Sequence, residues 1–231
     1  MKKKLIQTFF LSLFSLIFVS LSIAQVNEPR EVEDFSKIVV SSGIDLILNQ
    51  GNELKAMAEA RNDKALESII TEVKDNTLKI YCKEKILKPG PRNVYVTFRN
   101  LDEIKATGGS DVTAESGINV SDLEISAHGG SDISLEIEAG KLRSIISGGS
   151  DADLTGKVTE FVAEASGGSD LKAKELVTEI CSLEVSGGSD GCITVNGTLN
   201  VKASGGSDIV YYGNAQVRNI NASGGSDVER R

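Results

Sequence analysis

The chain of 231 residues carries 25 lysines and arginines against 33 aspartates and glutamates, which gives a formal net charge of −8. This acidic balance argues against nucleic acid as a partner, because phosphate contacts require clustered basic side chains. A single histidine and three cysteines without ligand spacing exclude a metal centre built from several histidines or cysteine pairs.

The first 24 residues are typical of a cleaved signal peptide. Three lysines at positions 2–4 precede an apolar stretch over residues 5–21, and Ser-Ile-Ala at 22–24 supplies the small residues that a signal peptidase reads. We predict export through this segment to the periplasm, the cell surface or the extracellular space, and no membrane span after signal cleavage. Cleavage removes three lysines and no acid, so the net charge of residues 25–231 is −11. An uncleaved membrane anchor is the alternative interpretation.

Residues 25–100 are predicted to form a β-rich N-terminal capping region. Short apolar stretches alternate with polar ones, and Asp75-Asn76 is a predicted hairpin turn. Ser42-Gly43-Ile44-Asp45 looks like a degenerate form of a corner that recurs later in the chain. Two arrangements remain open, namely the capping start of a solenoid or a small β-sandwich packed on it. Residues 62–72 are compatible with a short helix.

Residues 101–231 are built from a repeat, because the tetrapeptide Gly-Gly-Ser-Asp occurs seven times at spacings of 21, 19, 19, 20, 18 and 19 residues. The repeated aspartates are Asp111, Asp132, Asp151, Asp170, Asp190, Asp208 and Asp227. The repeated glycines, which we predict to be structural turn residues, are Gly108, Gly109, Gly129, Gly130, Gly148, Gly149, Gly167, Gly168, Gly187, Gly188, Gly205, Gly206, Gly224 and Gly225. A glycine pair permits a tight turn with positive φ.

Apolar residues alternate with polar ones on both sides of each corner. They lie five and seven residues before the aspartate, as at Ala106 and Ile104, and one and three residues after it, as at Ile133 and Leu135. This period of two indicates two short, half-buried strands per repeat. A unit of about 19 residues cannot bury its apolar side alone, so identical units must stack. We therefore predict an all-β, parallel β-helix-like solenoid of about seven coils with Gly-Gly-Ser-Asp corners.

Two other repeat architectures fit less well. A propeller blade contains four strands in about 40 residues, so each blade would need two repeats. A left-handed hexapeptide helix requires an apolar beat of six residues, and the sequence lacks one.

The chain resembles a secreted bacterial family called putative auto-transporter adhesin, head GIN domain. The resemblance rests on Phe35 with Ile38, on Gly43-Ile44-Asp45-Leu46, on Leu78-Lys79-Ile80, and on the corner that ends at Asp111 together with its successors. It covers nearly all of residues 25–231 and implies a right-handed β-helix-like fold with an adhesin-like role. The family brings no catalytic residues to this chain. No C-terminal membrane barrel follows the repeats, so we expect that the chain does not translocate itself.

The seven aspartates form a predicted ladder with neighbouring carboxylates about 4.8 Å apart, the spacing between strands. Like charges at that distance repel by roughly 1 kcal/mol in water and more near a protein surface. In one interpretation each aspartate accepts backbone N–H groups at its own turn, while serine hydroxyls bridge between coils. In the other, the ladder binds Ca²⁺. The calcium β-roll motif has a shorter period and a third glycine, so we predict no cofactor and keep Ca²⁺ as the alternative.

Two further residues have the chemistry of a site. His128 precedes Gly129-Gly130-Ser131-Asp132, an order compatible with a Ser-His-Asp constellation. Other repeats have serine or threonine at the His128 position, which favours a solvent-facing residue. Tyr212 falls in the outward register beside inward Tyr211, so Tyr212 is a candidate glycan contact. We predict no catalytic residues.

These features together predict a non-enzymatic, exported, adhesin-like protein of the cell envelope or surface. Its predicted partner is an unknown surface protein or a glycan. One alternative is a glycan-active enzyme, either a polysaccharide lyase or a hydrolase, on a β-helix scaffold. Another is a purely structural envelope protein. The sequence leaves the oligomeric state open.

Overall fold

The computed structural model describes residues 25–83 and 90–231, so the predicted signal peptide, residues 1–24, lies outside the described residues. One short helix, α1 (Asp63–Ser68), accompanies seventeen strands in the described chain. The strands before the repeats are β1 (Val26–Arg30), β2 (Lys37–Val40), β3 (Asp45–Gln50), β4 (Lys55–Ala60), β5 (Ile69–Lys74), β6 (Thr77–Cys82) and β7 (Arg92–Phe98). Those of the repeats are β8 (Glu103–Thr107), β9 (Val112–Ala114), β10 (Ile118–His128), β11 (Ile133–Ser147), β12 (Ala152–Ser166), β13 (Asp170–Ser186), β14 (Asp190–Ser204), β15 (Asp208–Tyr212), β16 (Gln216–Ala222) and β17 (Asp227–Arg230).

The strands stack into a parallel β-solenoid of about seven turns, as the sequence predicts. Each coil contributes one segment before its Gly-Gly-Ser-Asp corner and one after it, and each kind of segment stacks into a wall. In the first wall β8 pairs with β10, β10 with β11, and the series continues to β16. In the second wall β3 pairs with β9, β9 with β11, and the series continues to β17. Four long strands, β11–β14, run from the second wall around a second corner into the first wall, and β10 begins at that corner. In β10, β11 and β12 the second corner comprises residues 118–121, 137–140 and 156–159.

The apolar positions of the repeat point into the space between the walls. Ile104, Ile125 and Leu183 line one inward column and are at most 1% exposed. Across the interior, Ile133, Leu171 and Ile209 are each 1% exposed. Burial of such side chains from water contributes about 1.5–3 kcal/mol each to stability. A single repeat could not bury them alone, so the stabilisation depends on stacking.

The N-terminal strands continue the same stack, although not in chain order. Strand β2 lies between β6 and β8 in the first wall, and β3 lies between β7 and β9 in the second. The layer formed by β6 and β7 is therefore below the layer formed by β2 and β3, which precedes it in sequence. Of the two predicted arrangements, a continuous solenoid start describes this region and a separate sandwich does not.

Antiparallel strands close the lower end of the stack. Strands β5 and β6 form a hairpin whose turn, Asp75-Asn76, has the predicted position and positive φ values of 52° and 60°. Strand β4 pairs with β7, and β1 adds outside β4. Helix α1 begins at the cap residue Asn62, whose side chain accepts the N–H of Ala65. No helix among the described residues has the length and apolar character needed to cross a membrane.

The three cysteines are free and differ in their access to solvent, which leads to a prediction. Cys181 points inward, and burial raises the pKa of its thiol to about 12. Cys192 and Cys82 are half-buried. Because the thiolate is the reactive form, we expect iodoacetamide at pH 8 to label Cys192 and Cys82 in the folded chain, and Cys181 only after denaturation. Mass spectrometry of tryptic peptides would measure this, and labelling of native Cys181 as fast as Cys192 would contradict it.

Candidate functional site: the polar corner ladder

The repeated corner is a tight turn that depends on its glycine pair. Thirteen of the fourteen corner glycines have φ between 66° and 87°, and Gly206 is the exception. Two successive positive φ values are the pattern of a type I′ turn, which disfavours residues with a Cβ. In the degenerate corner of the N-terminal region, Ser42 (φ 74°) and Gly43 (φ 64°) take the same two positions. This corner lies directly below the first repeated corner, since the N–H of Gly43 donates to the carbonyl of Gly108.

The serines of the corners form a buried hydrogen-bonded ladder. Six of the seven are fully buried: Ser110, Ser131, Ser150, Ser169, Ser189 and Ser207. The N–H of Ser131 donates to the Oγ of Ser150 in the next coil at 3.1 Å, and the pattern recurs from Ser110 to Ser131 and from Ser150 to Ser169. Each bond therefore satisfies a buried backbone donor that would otherwise cost free energy.

The aspartates form a second ladder that runs in the opposite sense. The N–H of Asp151 donates to Oδ1 of Asp132 at 3.0 Å, and equivalent bonds join Asp170 to Asp151 and Asp208 to Asp190. These carboxylates thus accept N–H groups from the following coil and not, as predicted, from their own turn. Only the last aspartate has the local pattern, since Asp227 Oδ1 accepts the N–H of Val228. Such charge-assisted bonds offset part of the repulsion along the ladder.

Two further contacts show the electrostatic environment of the ladder. Burial and the neighbouring Asp111 carboxylate both raise the pKa of Asp45, whereas Arg92 opposes that shift. Lys172 Nζ lies 2.8 Å from Oδ2 of Asp151, which leaves both oxygens of that carboxylate with a partner. Among the described residues, no group of three acidic, histidine or cysteine side chains converges closely enough to hold one metal ion.

Buried serines of two kinds allow a matched test of the serine ladder. Replacing Ser150 by Ala leaves the buried N–H of Ser131 without its acceptor, so we expect the free energy of unfolding to fall by about 1–3 kcal/mol. Ser144 is 1% exposed and lies in an otherwise apolar inward column, and its hydroxyl is buried without a hydrogen-bond partner. We therefore expect Ser144→Ala to leave stability unchanged or to raise it. Urea unfolding measures both variants, and equal losses would contradict the ladder.

The calcium alternative leads to a separate expectation. Because Oδ1 of several ladder aspartates already accepts a backbone N–H, we expect the thermal unfolding midpoint of residues 25–231 to be the same in calcium and in chelator. A folded state that bound calcium would gain about 2.7 kcal/mol at a concentration of 100 times Kd. Circular dichroism monitors the unfolding. A midpoint that rises with calcium in a saturable way would assign the ladder a cation-binding role.

His128 does not lie in the constellation that its sequence context suggests. Its Nδ1 lies 2.6 Å from the Oγ of Ser147 in the next coil. Ser131, the serine of its own corner, is instead buried, and its Oγ accepts the N–H of Ser110. Burial and the nearby Lys105 lower the pKa of His128. His128 thus occupies one position of the serine and threonine row that precedes the corners, as the repeat predicts.

Tyr212 lies on the outer side of the second wall, and Tyr211 points inward with 8% exposure. The Nζ of Lys174 lies over the Tyr212 ring, 4.7 Å from its centroid, an arrangement that attracts a cation to the ring face. Sequence reasoning missed Lys174 as a neighbour. Lys174 and Tyr212 each lie four residues after a repeated aspartate, but the strand register shifts between Ala173 and Val177, so counting alone does not place the ammonium group over the ring.

An open cleft lies at the second corner, away from the aspartate ladder. Its volume is about 310 Å³, and its lining comprises Asn119, Val120, Glu138, Ala139, Gly140, Lys157, Val158 and Thr159. This volume is at the lower end of the range for small-molecule sites. The repeated aspartates do not line it, and five of the seven are exposed to solvent.

Comparison with known protein families gives one match of long extent. A family model described as putative auto-transporter adhesin, head GIN domain, matches residues 34–215. The match spans β2 to β15 and therefore includes both walls and the corners up to Asp208. Comparison with curated proteins found no match.

Several solved structures share the fold. A putative adhesin from Bacteroides fragilis is 19% identical and superposes with a TM-score of 0.84, over 90% of this chain and 97% of that chain. A putative adhesin from Parabacteroides distasonis is 20% identical, with a TM-score of 0.73 over 90% and 97% of the two chains. A putative lipid binding protein from Parabacteroides distasonis is 15% identical, with a TM-score of 0.71 over 90% and 96%. At these identities the likeness concerns the fold alone.

Proposed function

Because the chain belongs to the family described as putative auto-transporter adhesin, head GIN domain, we propose that it is a non-enzymatic, adhesin-like protein of the cell envelope or surface. In this proposal the signal peptide exports the chain, and the solenoid presents a rigid wall to a glycan or a surface protein. The names of the structural relatives include both adhesins and a lipid binding protein, so they do not point to a single kind of ligand. The proposal therefore rests on the geometry of the second wall.

The observation that supports this function is the continuous outer face of the second wall. Nine strands, β7, β3, β9, β11, β12, β13, β14, β15 and β17, are in parallel register there. At about 4.8 Å per strand, the face is about 40 Å long. One outward row contains Thr113, Ser134, Asp153, Lys172, Cys192 and Val210. The inward columns hold the fold together, so these outward residues are available for recognition.

Within this face we place the recognition site at Tyr212 and Lys174. An aromatic ring supplies a stacking face for a sugar, and an ammonium group pairs with a carboxylate or sulfate. Lys174 already covers one face of the ring, so an acidic sugar that draws the ammonium toward its own anion fits better than a neutral one. Arg231 pairs with Glu229 at 3.1 Å and also interacts with Tyr212, so it adds a second cation to the site.

Surface plasmon resonance with immobilised residues 25–231 tests this function. The probes are mucin glycoprotein, alginate as an acidic polysaccharide, and dextran as a neutral one. We expect saturable binding to mucin or alginate, weaker binding to dextran, and loss of binding in Tyr212→Ala. Tyr95→Ala is the matched control, because Tyr95 is a half-buried tyrosine on the outer side of β7. Binding that Tyr95→Ala and Tyr212→Ala reduce equally would overturn the site.

The same samples separate this function from the two alternatives. An enzyme on a β-helix scaffold would release reducing ends or unsaturated products from alginate, and a colorimetric assay detects both. A purely structural envelope protein would show neither binding nor turnover. Each of those outcomes would contradict the adhesin-like function.

A further inference from the structure

The upper end of the solenoid, the terminal coil (residues 214–231), differs from every other layer of the stack. Its inward positions are in register with buried residues below, since Ile220 pairs with Val201 and Val228 with Ile209. Yet Ile220 is 40% exposed and Val217 is 42% exposed, whereas Val201 and Ile209 are each 1% exposed. Among the described residues, no strand lies above these side chains. The open upper side of the interior is therefore an apolar surface.

The backbone of the terminal coil is also open on its upper side. Strand β16 pairs with β14 below it, and β17 pairs with β15 below it. The N–H of Ser223 donates downward to the carbonyl of Ala203, so by strand alternation the N–H of Ala222 points upward. Asp227 Oδ1 accepts the N–H of Val228 in its own coil. In contrast, Asp111, Asp132, Asp151 and Asp190 each accept the N–H of the aspartate in the following coil. The two strands thus present free edges that can accept another strand.

Charge indicates what kind of partner fits this surface. Residues 25–231 have a net charge of −11, so two copies repel one another side by side. Residues 216–231 contain three arginines and two acidic side chains, a net charge of +1. Two such ends approach without this repulsion. The lower end is less suited to pairing, because Pro29 lacks an N–H in the middle of edge strand β1, and residues 25–34 hold four acids and one arginine.

We propose that two copies of this chain associate through their terminal coils, related by a two-fold axis perpendicular to the solenoid axis. Such an axis reverses the strand direction, so β16 and β17 of one copy meet antiparallel edges of the other. The apolar side chains of Val217, Ile220 and Val228 become buried between the copies. The contact uses the same surface on both copies and therefore closes at two.

Sedimentation velocity of residues 25–231 at 0.15 M salt, over a concentration series, tests the dimer. We expect a concentration-dependent species of twice the monomer mass. The first wall has ten stacked strands, or about 50 Å, so small-angle scattering should give a maximum dimension that rises to about 100 Å on dimerisation. A monomer at every concentration would overturn the proposal. Growth into open-ended polymers would also overturn it, because that indicates head-to-tail contact.

Two variants and a matched control locate the contact. Ile220→Lys places a charge in the centre of the interface, and we expect the dimer Kd to rise roughly thirtyfold or more. Ile180→Lys is the control, because Ile180 is 46% exposed but lies on β13, two layers below the terminal coil, and the dimer Kd of this variant should equal that of the unmodified chain. Ala222→Pro removes an upward N–H and no downward bond, so it should weaken the dimer while the monomer keeps its circular dichroism spectrum. Equal Kd values for Ile220→Lys and Ile180→Lys would overturn the proposal.

Discussion

Gly156→Ala is expected to lower the free energy of unfolding of residues 25–231 by about 2–5 kcal/mol. Gly156 lies at the second corner with φ of 108°, where a residue with a Cβ is strained by about 1–2 kcal/mol. A Cβ there would also lie in hard contact with the carbonyl oxygen of Ile137 in the coil below, and such overpacking costs about 1–3 kcal/mol more. Because small domains are stable by about 5–15 kcal/mol in total, the variant should unfold at much lower urea concentration.

Gly149→Ala separates these two causes. Gly149 has φ of 72°, and a Cβ at this position would meet no atom within 4 Å. Its cost should therefore be the conformational strain alone, about 1–2 kcal/mol. Urea unfolding followed by circular dichroism compares both variants with the unmodified chain. A loss for Gly149→Ala as large as that for Gly156→Ala would show that contact between coils is not what requires glycine at the second corner.

Phe161→Ala is expected to cost about 3–5 kcal/mol, because Phe161 is fully buried and its removal leaves a cavity. The ring lies in one inward column between Leu142 below and Cys181 above. The small cysteine next to the large ring keeps the combined volume of the two layers close to that of leucine pairs. Alanine at Phe161 would leave two small residues in adjacent layers, and the walls cannot close on that space without losing their register.

Val162→Ala is the matched control, since Val162 is the next residue in β12 and points to the outer side, half-buried. We expect it to cost about 1 kcal/mol or less. Hydrogen exchange adds a positional readout, because in a stacked repeat each coil contacts only its neighbours. Amides of β11 to β13 should lose more protection in Phe161→Ala than those of β2 and β3. Uniform loss of protection along the solenoid would instead indicate that the stack opens as one cooperative unit.

The repeat made much of the fold predictable from sequence. Inward columns follow from period-two alternation on both sides of a fixed corner, and the buried Ile104 and Ile133 lie where the alternation places them. The same counting identifies Ser42-Gly43-Ile44-Asp45 as a corner, since Ile44 takes the place of the repeated serine. Its N–H donates to the Oγ of Ser110, which is the bond that a serine at that position would make.

Other features had no sequence signal of their own. The pairing of β2 with both β6 and β8 joins strands without a shared repeat, and apolar alternation alone does not specify which strand lies above which. The sequence led us to expect local bonds at the aspartates, but several of them accept N–H groups from the following coil. The orientation of the peptide groups at the corner decides which N–H group a carboxylate accepts, and the sequence does not specify that orientation. To predict the contact of Lys174 with the Tyr212 ring, one would need to know the strand register across an intervening coil.

The order of the lower layers also determines how the molecule can be made and how its length can change. The layer of β2 and β3 receives its neighbours on both sides from residues 77–114, so it cannot be completed while only the first 60 residues have been synthesised. Assembly therefore has to wait for non-local contacts, whose closure makes folding slow. Above these lower layers, each coil stacks on the coil that precedes it in the sequence. We therefore expect evolution to tolerate the duplication or deletion of a coil only above the layer of β8 and β9. The layers below it form a base of fixed size.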